Sequence, residues 1–281
     1  MGDPRPTSAF HADNMSATAT DRLVGALDAQ AANAGVRNLR AWAHRGLAAR
    51  PGERALDIGA GTGSETQVLA SAVGSGGDAT GVEPHPGLRE VAEQRASASG
   101  STARFVDGNA LDLPVADAAV DLVWCERVFQ HLDEPERAAA EIARVLRPGG
   151  RVALLDSDWG TTLLHPGEPA VVAALTGGAL AAAANPQAGR RLPAQLAEAG
   201  LVVDEIGSQA LVQDHRRVNW AIVRMLAETA VRRGLITEEQ RDTLYADLTA
   251  AAAKGALHMS VTMFGVLAHR PGPAPQTSGS E

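Results

Sequence analysis

The run Ala55-Leu56-Asp57-Ile58-Gly59-Ala60-Gly61-Thr62-Gly63 decides how the rest of the chain is read. Arg54 to Ile58 is short and largely apolar, as a buried strand is, and a helix is expected from about Ser64 to Ala72. Between them stand three glycines at alternate positions. Glycine has no Cβ, so such a turn adopts unusual dihedrals and lets a ligand come close to the backbone N–H groups. The N-terminus of the following helix favours negative charge. Spacing then separates two readings. A dinucleotide loop, G-x-G-x-x-G, would place its third glycine at position 64, which is Ser64. Here the third is Gly63, and the D-x-G-x-G-x-G pattern suits an amino-acid carboxylate and a ribose better than a pyrophosphate. Taken alone, the turn is also compatible with a tight strand-to-helix connection that binds nothing.

Downstream, strands and helices alternate. Strands are expected at Ala79–Glu83, Ala103–Val106, Val120–Cys125 and, after an Arg147-Pro148-Gly149-Gly150 turn, Arg151–Asp156. Helices are expected at Leu88–Ala96 and Glu134–Leu146. This order argues for right-handed crossovers and a parallel sheet covered on both faces. Beyond it come an alanine-rich helix at Glu168–Ala184, a helix at Arg190–Ala199, a strand within Leu201–Val212, two helical stretches in 214–255 and a last strand at Leu257–His269. Upstream, Leu23, Leu27, Val36, Leu39, Trp42, Ala43 and Leu47 are spaced for two short helices, with Asp21 as an N-cap. Residues 1–20 read as a flexible arm and 271–281 as a disordered tail.

Composition narrows the function classes. The chain has 281 residues, 45% hydrophobic and 21% charged, enough for one large domain or a domain with a small cap. A net charge of −8 argues against nucleic-acid or anionic-membrane partners, which select basic surfaces. Cys125, the one cysteine, can form neither an internal disulfide nor a cysteine metal cluster, and His165, His215 and His258 lack metal-ligand spacing. No metal is expected. With no long apolar run and no signal-like N-terminus, the expected location is the cytoplasm.

Two further positions bear on the glycine loop. Glu83 falls twenty residues after Gly63, at the end of the second expected strand, where a carboxylate can accept both ribose hydroxyl protons. Pro84 then stops the strand. Asn109, followed by Ala110, lies after the third strand, where its amide either pairs with an adenine edge or caps the loop.

Four runs in order, 55–63, Gly81-Val82-Glu83-Pro84, Val106-Asp107-Gly108-Asn109-Ala110-Leu111-Asp112-Leu113-Pro114 and Arg144-Val145-Leu146-Arg147-Pro148-Gly149-Gly150, resemble class I S-adenosylmethionine-dependent methyltransferases. The nearest branch is that of ubiquinone and menaquinone biosynthesis and of bacterial natural-product methyltransferases. The resemblance is detailed over about 50–160 and only outlined over 190–270. It implies an α/β, Rossmann-like, doubly wound sheet of seven strands, the last antiparallel, with helical N-terminal and inserted cap segments. It also implies that Gly59, Ala60, Gly61 and Gly63 line the methionine and ribose, that Glu83 and Pro84 meet the ribose, and that Asn109 and Ala110 meet adenine. Cys125 and Glu126 would pass the sulfonium end, and Asp57 would order the loop and balance the cofactor's positive charge. Family members commonly carry aspartate where this chain has Asn109, so the adenine hydrogen bonds are expected to differ.

The organisation that follows is a pair of N-terminal helices over 21–50, a methyltransferase domain over 51–270, and cap insertions at about 160–188 and 214–255. Acceptors in doubly wound sheets lie beyond the carboxyl ends of the strands. His131 is the candidate general base and Asp156 either orients it or binds the acceptor; helix capping and turn formation are the plainer roles for each. Leu163, Leu164, Val171, Val172, Leu175, Met225 and Leu226, with Trp42 and Trp220 as candidate walls, suggest a small, partly apolar acceptor in specialised metabolism. The same residues would serve equally as helix core. A second copy of the chain, as a homodimer, is left open as a partner. The competing function is a protein of this fold that holds the cofactor while catalysing a cyclisation or isomerisation without methyl transfer.

Overall fold

A computed structural model describes residues 17–180 and 184–272 of the chain. The chain enters through α1 (Ala17–Ala31) and α2 (Ala34–Leu47). Asp21 sits inside α1 and does not cap it, because the alanines at 17 and 19, the strongest helix formers, carry the helix back into the expected arm. The rest of that arm, 1–16, and tail residues 273–281 lie outside the described residues. Asn33 caps α2, its side-chain oxygen accepting the Gly35 N–H at 2.8 Å. Val36, Leu39, Ala43 and Leu47 then bury one face of α2.

The alternating core follows as β1 (Arg54–Ile58), α3 (Ser64–Val73), β2 (Asp78–Val82), α4 (Pro86–Ser99), β3 (Arg104–Val106), β4 (Val120–Glu126), α5 (Pro135–Val145) and β5 (Leu146–His165). It continues through α6 (Pro169–Leu180), α7 (Ala188–Glu198), β6 (Val202–Val212), α8 (Trp220–Arg232), α9 (Glu238–Ala253) and β7 (His258–His269). These strands form one sheet in the order β3-β2-β1-β4-β5-β7-β6. β1 to β5 are parallel, and β7 runs antiparallel to both β5 and β6. The expected doubly wound sheet of seven strands with its last strand antiparallel is therefore the fold.

Strand alternation sends side chains to two cores. Val123 and Cys125 of β4 pack with Ile58, Phe129, Ile142 and Leu192 on one face. Leu122 and Trp124 pack with Leu39, Leu47, Leu69, Leu155 and Met263 on the other. A third core lies apart, where Val171 and Leu175 of α6, Val223 and Leu226 of α8, and Leu244 and Leu248 of α9 close on one another. This is the cap.

Two expectations about β5 change. The Arg147–Gly150 turn is kept as a bulge inside the strand: Val120 pairs with Leu146, but Leu122 pairs with Arg151. Gly149, at φ 79°, lets the bulge donate back to the Arg270 carbonyl at 2.8 Å. The strand also continues beyond Asp156 to His165, so residues 160–165 are sheet and not inserted cap. Its partner β7 is long enough to pair with it to His258, across a register shift between Asp158 and Leu163. β5, β7 and β6 thereby project beyond the carboxyl ends of the other strands and carry the cap.

Neither tryptophan proposed as a pocket wall stands alone as one. Trp42 lies in a trough made by Gly207 of β6 and Gly265 of β7, a directly paired couple, where an added Cβ would come within 2.8 and 2.6 Å of its ring. Its Nε1 donates to Glu205 at 2.8 Å. Trp220 packs edge-on against Tyr245 inside the cap, 5.2 Å between ring centres.

Candidate functional site

At the carboxyl end of β1, Gly59, Gly61 and Gly63 all have positive φ (72°, 54° and 78°), a region that L side chains avoid. The N–H groups of Gly59 and Ala60 both donate to the Val82 carbonyl, and that of Gly63 donates to the Ala60 carbonyl. Gly61 donates to Glu83 at 2.9 Å. Contrary to the expectation of a donor-rich turn, the N–H groups of Gly59, Ala60, Gly61 and Gly63 are thus occupied, and the loop offers close carbon surface. That suits a ribose and an amino-acid chain lying across it better than a phosphate seeking free donors.

Glu83 follows β2 directly and is 5% exposed. Its Oε2 accepts from Gly61 and its Oε1 from the His85 N–H, each at 2.9 Å, which leaves one lone pair per oxygen for a diol. Burial pushes its carboxyl up, against the two backbone donors and nearby His85 and Arg89. Pro84 is half-buried beside it. Asn109 is exposed and its Oδ1 accepts the Leu111 N–H at 2.9 Å, so its carbonyl oxygen shapes the loop. What it can turn to an adenine edge is the amide NH2 group, next to the buried Ala110.

Beneath the loop lies a cluster of charges. Asp57 is buried and accepts the Thr66 hydroxyl at 2.6 Å. Burial raises its carboxyl to about 7, with the neighbouring charges of Glu65 and Glu126 adding to the rise and the Thr66 bond and Arg40 opposing it. Glu126, at the end of β4, takes both Arg40 Nε (2.7 Å) and Nη2 (3.0 Å), while Arg40 Nη1 holds Glu65 at 2.7 Å. Arg127 pairs with Glu126 at 3.1 Å on a backbone of φ 56°, a strained position for a side-chain-bearing residue. His44 binds Glu65 at 2.7 Å and stacks on Trp124. The Cys125 thiol, by contrast, is wholly buried in the core, with burial and the surrounding carboxylates pushing it up; any contact it makes with a ligand is through its peptide.

Arg40, His44, Glu65 and Thr66 were not singled out from the sequence. Their signal is faint: Arg40 and His44 fall four and eight residues after Val36, on the face of α2 that the apolar spacing assigns to the core.

Next to β4 a single 3₁₀ turn, Phe129–His131, carries His131 half-buried at the strand ends. Asp156 is fully buried, and its two oxygens accept the Gln130 N–H (3.0 Å) and the Ser157 N–H (2.7 Å). It anchors the backbone of the turn that carries His131. Burial raises Asp156 to about 7, against those two backbone bonds. Gln130 also accepts from Trp159 Nε1 at 2.9 Å, and Asp158 binds Arg190 of α7. α1 crosses above: Leu27 is the atom nearest an added Cβ on Gly61, and Asp28 binds Arg95 of α4. A separate groove of about 600 Å³, lined by Arg54, Asp78, Arg104 and Val115, opens at the amino ends of the strands and touches none of these residues.

Among the described residues, no group of three or more His, Cys, Asp or Glu is placed to hold a metal, and no helix is long and apolar enough to cross a membrane.

Residues 56–154 match the family described as a methyltransferase domain. A 37.1 kDa protein of a Streptomyces fradiae transposon is 35% identical over 144 residues, 51% of this chain and 41% of that protein. A demethylmenaquinone methyltransferase of Staphylococcus aureus is 35% identical over 115 residues, 41% of this chain and 47% of the enzyme. This chain therefore spans about half the length, or less, of those curated relatives. A geranyl diphosphate methyltransferase solved in complex with S-adenosylmethionine shares the fold at a TM-score of 0.51 and 19% identity, covering 96% of this chain and 93% of that one. Glycine loop and strand-end glutamate fall within the matched span: residues 56–154 of this chain match a methyltransferase domain, and the sheet around them has the fold of a methyltransferase solved with S-adenosylmethionine.

Proposed function

We propose that the chain transfers a methyl group from S-adenosylmethionine to an oxygen or nitrogen of a small, partly apolar organic acceptor, of the kind handled in specialised metabolism. The observation that carries this reading is the Glu83 carboxylate, buried at the end of β2 and tied to the Gly61 N–H. That tie sets ribose-accepting oxygens at a fixed height beside a loop whose three glycines carry no Cβ of their own.

When bound, the cofactor supplies a methyl carbon already activated by a sulfonium. The protein's task is alignment, charge and proton removal. Glu83 would hold the ribose hydroxyls, Ala110 and the Asn109 amide would meet the adenine, and ionised Asp57 would offset the positive sulfonium end. His131, held in place through the Asp156-anchored turn, would take the proton of an acceptor hydroxyl or amine. Leu163 of β5 and Met225 of α8 keep exposed apolar side chains near the cap. Val171, Leu175 and Leu226 instead fill the cap's own core.

Incubation with S-adenosylmethionine and a panel of hydroxylated and amine-bearing aromatic or polyketide-like compounds tests the proposal. Methylated product appearing with one equivalent of S-adenosylhomocysteine is the expected result. Conversion of an acceptor with no S-adenosylhomocysteine would overturn it in favour of a cyclase or isomerase that only holds the cofactor.

A further inference from the structure

We infer that Arg40 is a positioning residue for the cofactor: from α2 it ties Glu65, at the head of α3, to Glu126, at the end of β4, and so fixes the width and charge of the slot for the methionine half. The side chain is 14% exposed and spends three nitrogens on two carboxylates at 2.7 to 3.0 Å. Its two partners stand on elements that flank β1. Glu65 sits two residues past the last glycine of the loop, and Glu126 precedes the strained Arg127. A planar guanidinium grips Glu126 with a two-nitrogen fork while its third nitrogen holds Glu65, which sets separation and angle together; a compact ammonium has no such fork.

The charges around Arg40 show why the bridge matters to a cationic ligand. Facing it are Asp57 on β1, Glu65 on α3, Glu126 on β4 and His44 one turn on along α2; Arg127 lies across Glu126, and Asp156 on β5 faces Arg127. Burial alone would lower the guanidinium, but Glu126, Glu65 and Asp57 hold it above its ordinary value. Without Arg40, three carboxylates would crowd one buried region with Arg127 as the remaining arginine of that group. One more of them would then take up a proton near neutral pH. The slot would lose both its spacing and part of the negative charge that a sulfonium needs.

The inference rests on reading Gly59–Gly63 as the cofactor loop. Its test is calorimetric binding of S-adenosylmethionine and S-adenosylhomocysteine to wild type, Arg40→Lys, Arg40→Met and the double variant Arg40→Met/Glu126→Gln, between pH 6 and 8. Arg40→Lys is expected to weaken both ligands about tenfold, because an ammonium lacks the planar fork that fixes Glu126 relative to Glu65. In Arg40→Met the affinity for S-adenosylmethionine should rise with pH more steeply than the roughly one-proton dependence expected of wild type through Asp57. The double variant, with one carboxylate neutralised, should bring that dependence back to the wild-type slope. Folded variants that bind both ligands with wild-type affinity and slope would overturn the inference. If Arg40→Met does not fold, the Lys variant decides: wild-type affinity there overturns it too. A wild type that fails to bind S-adenosylmethionine refutes the underlying loop assignment instead.

Discussion

Gly61→Ala and Gly63→Ala place the same methyl group on two residues of one loop, and the structure assigns the two changes different consequences. Both residues hold positive φ, 54° and 78°, so each substitution carries the same backbone penalty of about 1–2 kcal/mol. They differ in what the new Cβ meets. At Gly63 it would lie 2.6 Å from Phe105 Cζ and 2.9 Å from Ala92 Cβ, between β3 and α4, where Ala92 has no rotamer by which to move aside. Overpacking of that kind adds about 1–3 kcal/mol, for a total near 2–5. In a domain whose whole stability is about 5–15 kcal/mol, that is a large fraction. At Gly61 the only near atom is Leu27 Cδ1 at 3.2 Å, the movable end of a side chain on α1. Fold stability should fall there by the backbone penalty alone, but the methyl projects into the space a ligand across the loop must use. Denaturant unfolding and calorimetric titration of S-adenosylmethionine read the two effects separately. Gly63→Ala should lose stability, and Gly61→Ala should lose at least about tenfold in affinity with a smaller stability change. The reasoning is refuted if Gly61→Ala binds like wild type, or if it destabilises the fold as much as Gly63→Ala does.

Glu83→Gln removes the charge from the carboxylate proposed to accept the ribose hydroxyls; losing charge-assisted hydrogen bonds of about 1.5–3 kcal/mol should raise the cofactor KM roughly 10- to 100-fold and leave acceptor KM alone. A change confined to the acceptor would contradict the assignment. His131→Ala should lower kcat by about 10²-fold and flatten the rise of rate with pH, whereas full turnover with an unaltered profile removes it as a base. Asp156 and Asp57, raised from ordinary carboxylate values to about 7, bind more protons folded than unfolded, so stability should fall as pH climbs from about 4 to about 7. At about 1.4 kcal/mol per pH unit, each can contribute up to about 4 kcal/mol. Asp156→Asn should therefore lessen this slope in chemical denaturation at pH 5 and pH 8; an unchanged slope would show that Asp156 does not titrate in that window.

How much was legible along the chain follows from the range of the interactions involved. β1 to β4 and the helices between them were readable to within a few residues, since period-two and 3.6-residue patterns, glycine turns and strand-ending prolines are local signals. The length of β5 was not. Nothing in Gly160-Thr161-Thr162-Leu163-Leu164-His165 itself distinguishes a strand from an insertion, and the answer lay in β7, a hundred residues on, which pairs with it. Trp42 reads as a candidate pocket wall until Gly207 and Gly265 are seen to be register partners beneath it.

The glycine loop shows the same division within one motif. By itself the sequence determined the strand–turn–helix, the spacing that puts the third glycine at 63, and the acidic residue twenty positions on, because all three are properties of neighbours along the chain. Only the tertiary structure decided that the N–H groups of all three loop glycines are occupied and that Glu83 is tied to Gly61. It alone brought Arg40 to Glu65 and Glu126 and set Asp156 beneath the turn of His131. Those contacts join residues separated by up to 86 positions, and their strength depends on burial and on angle, which a one-dimensional pattern does not carry.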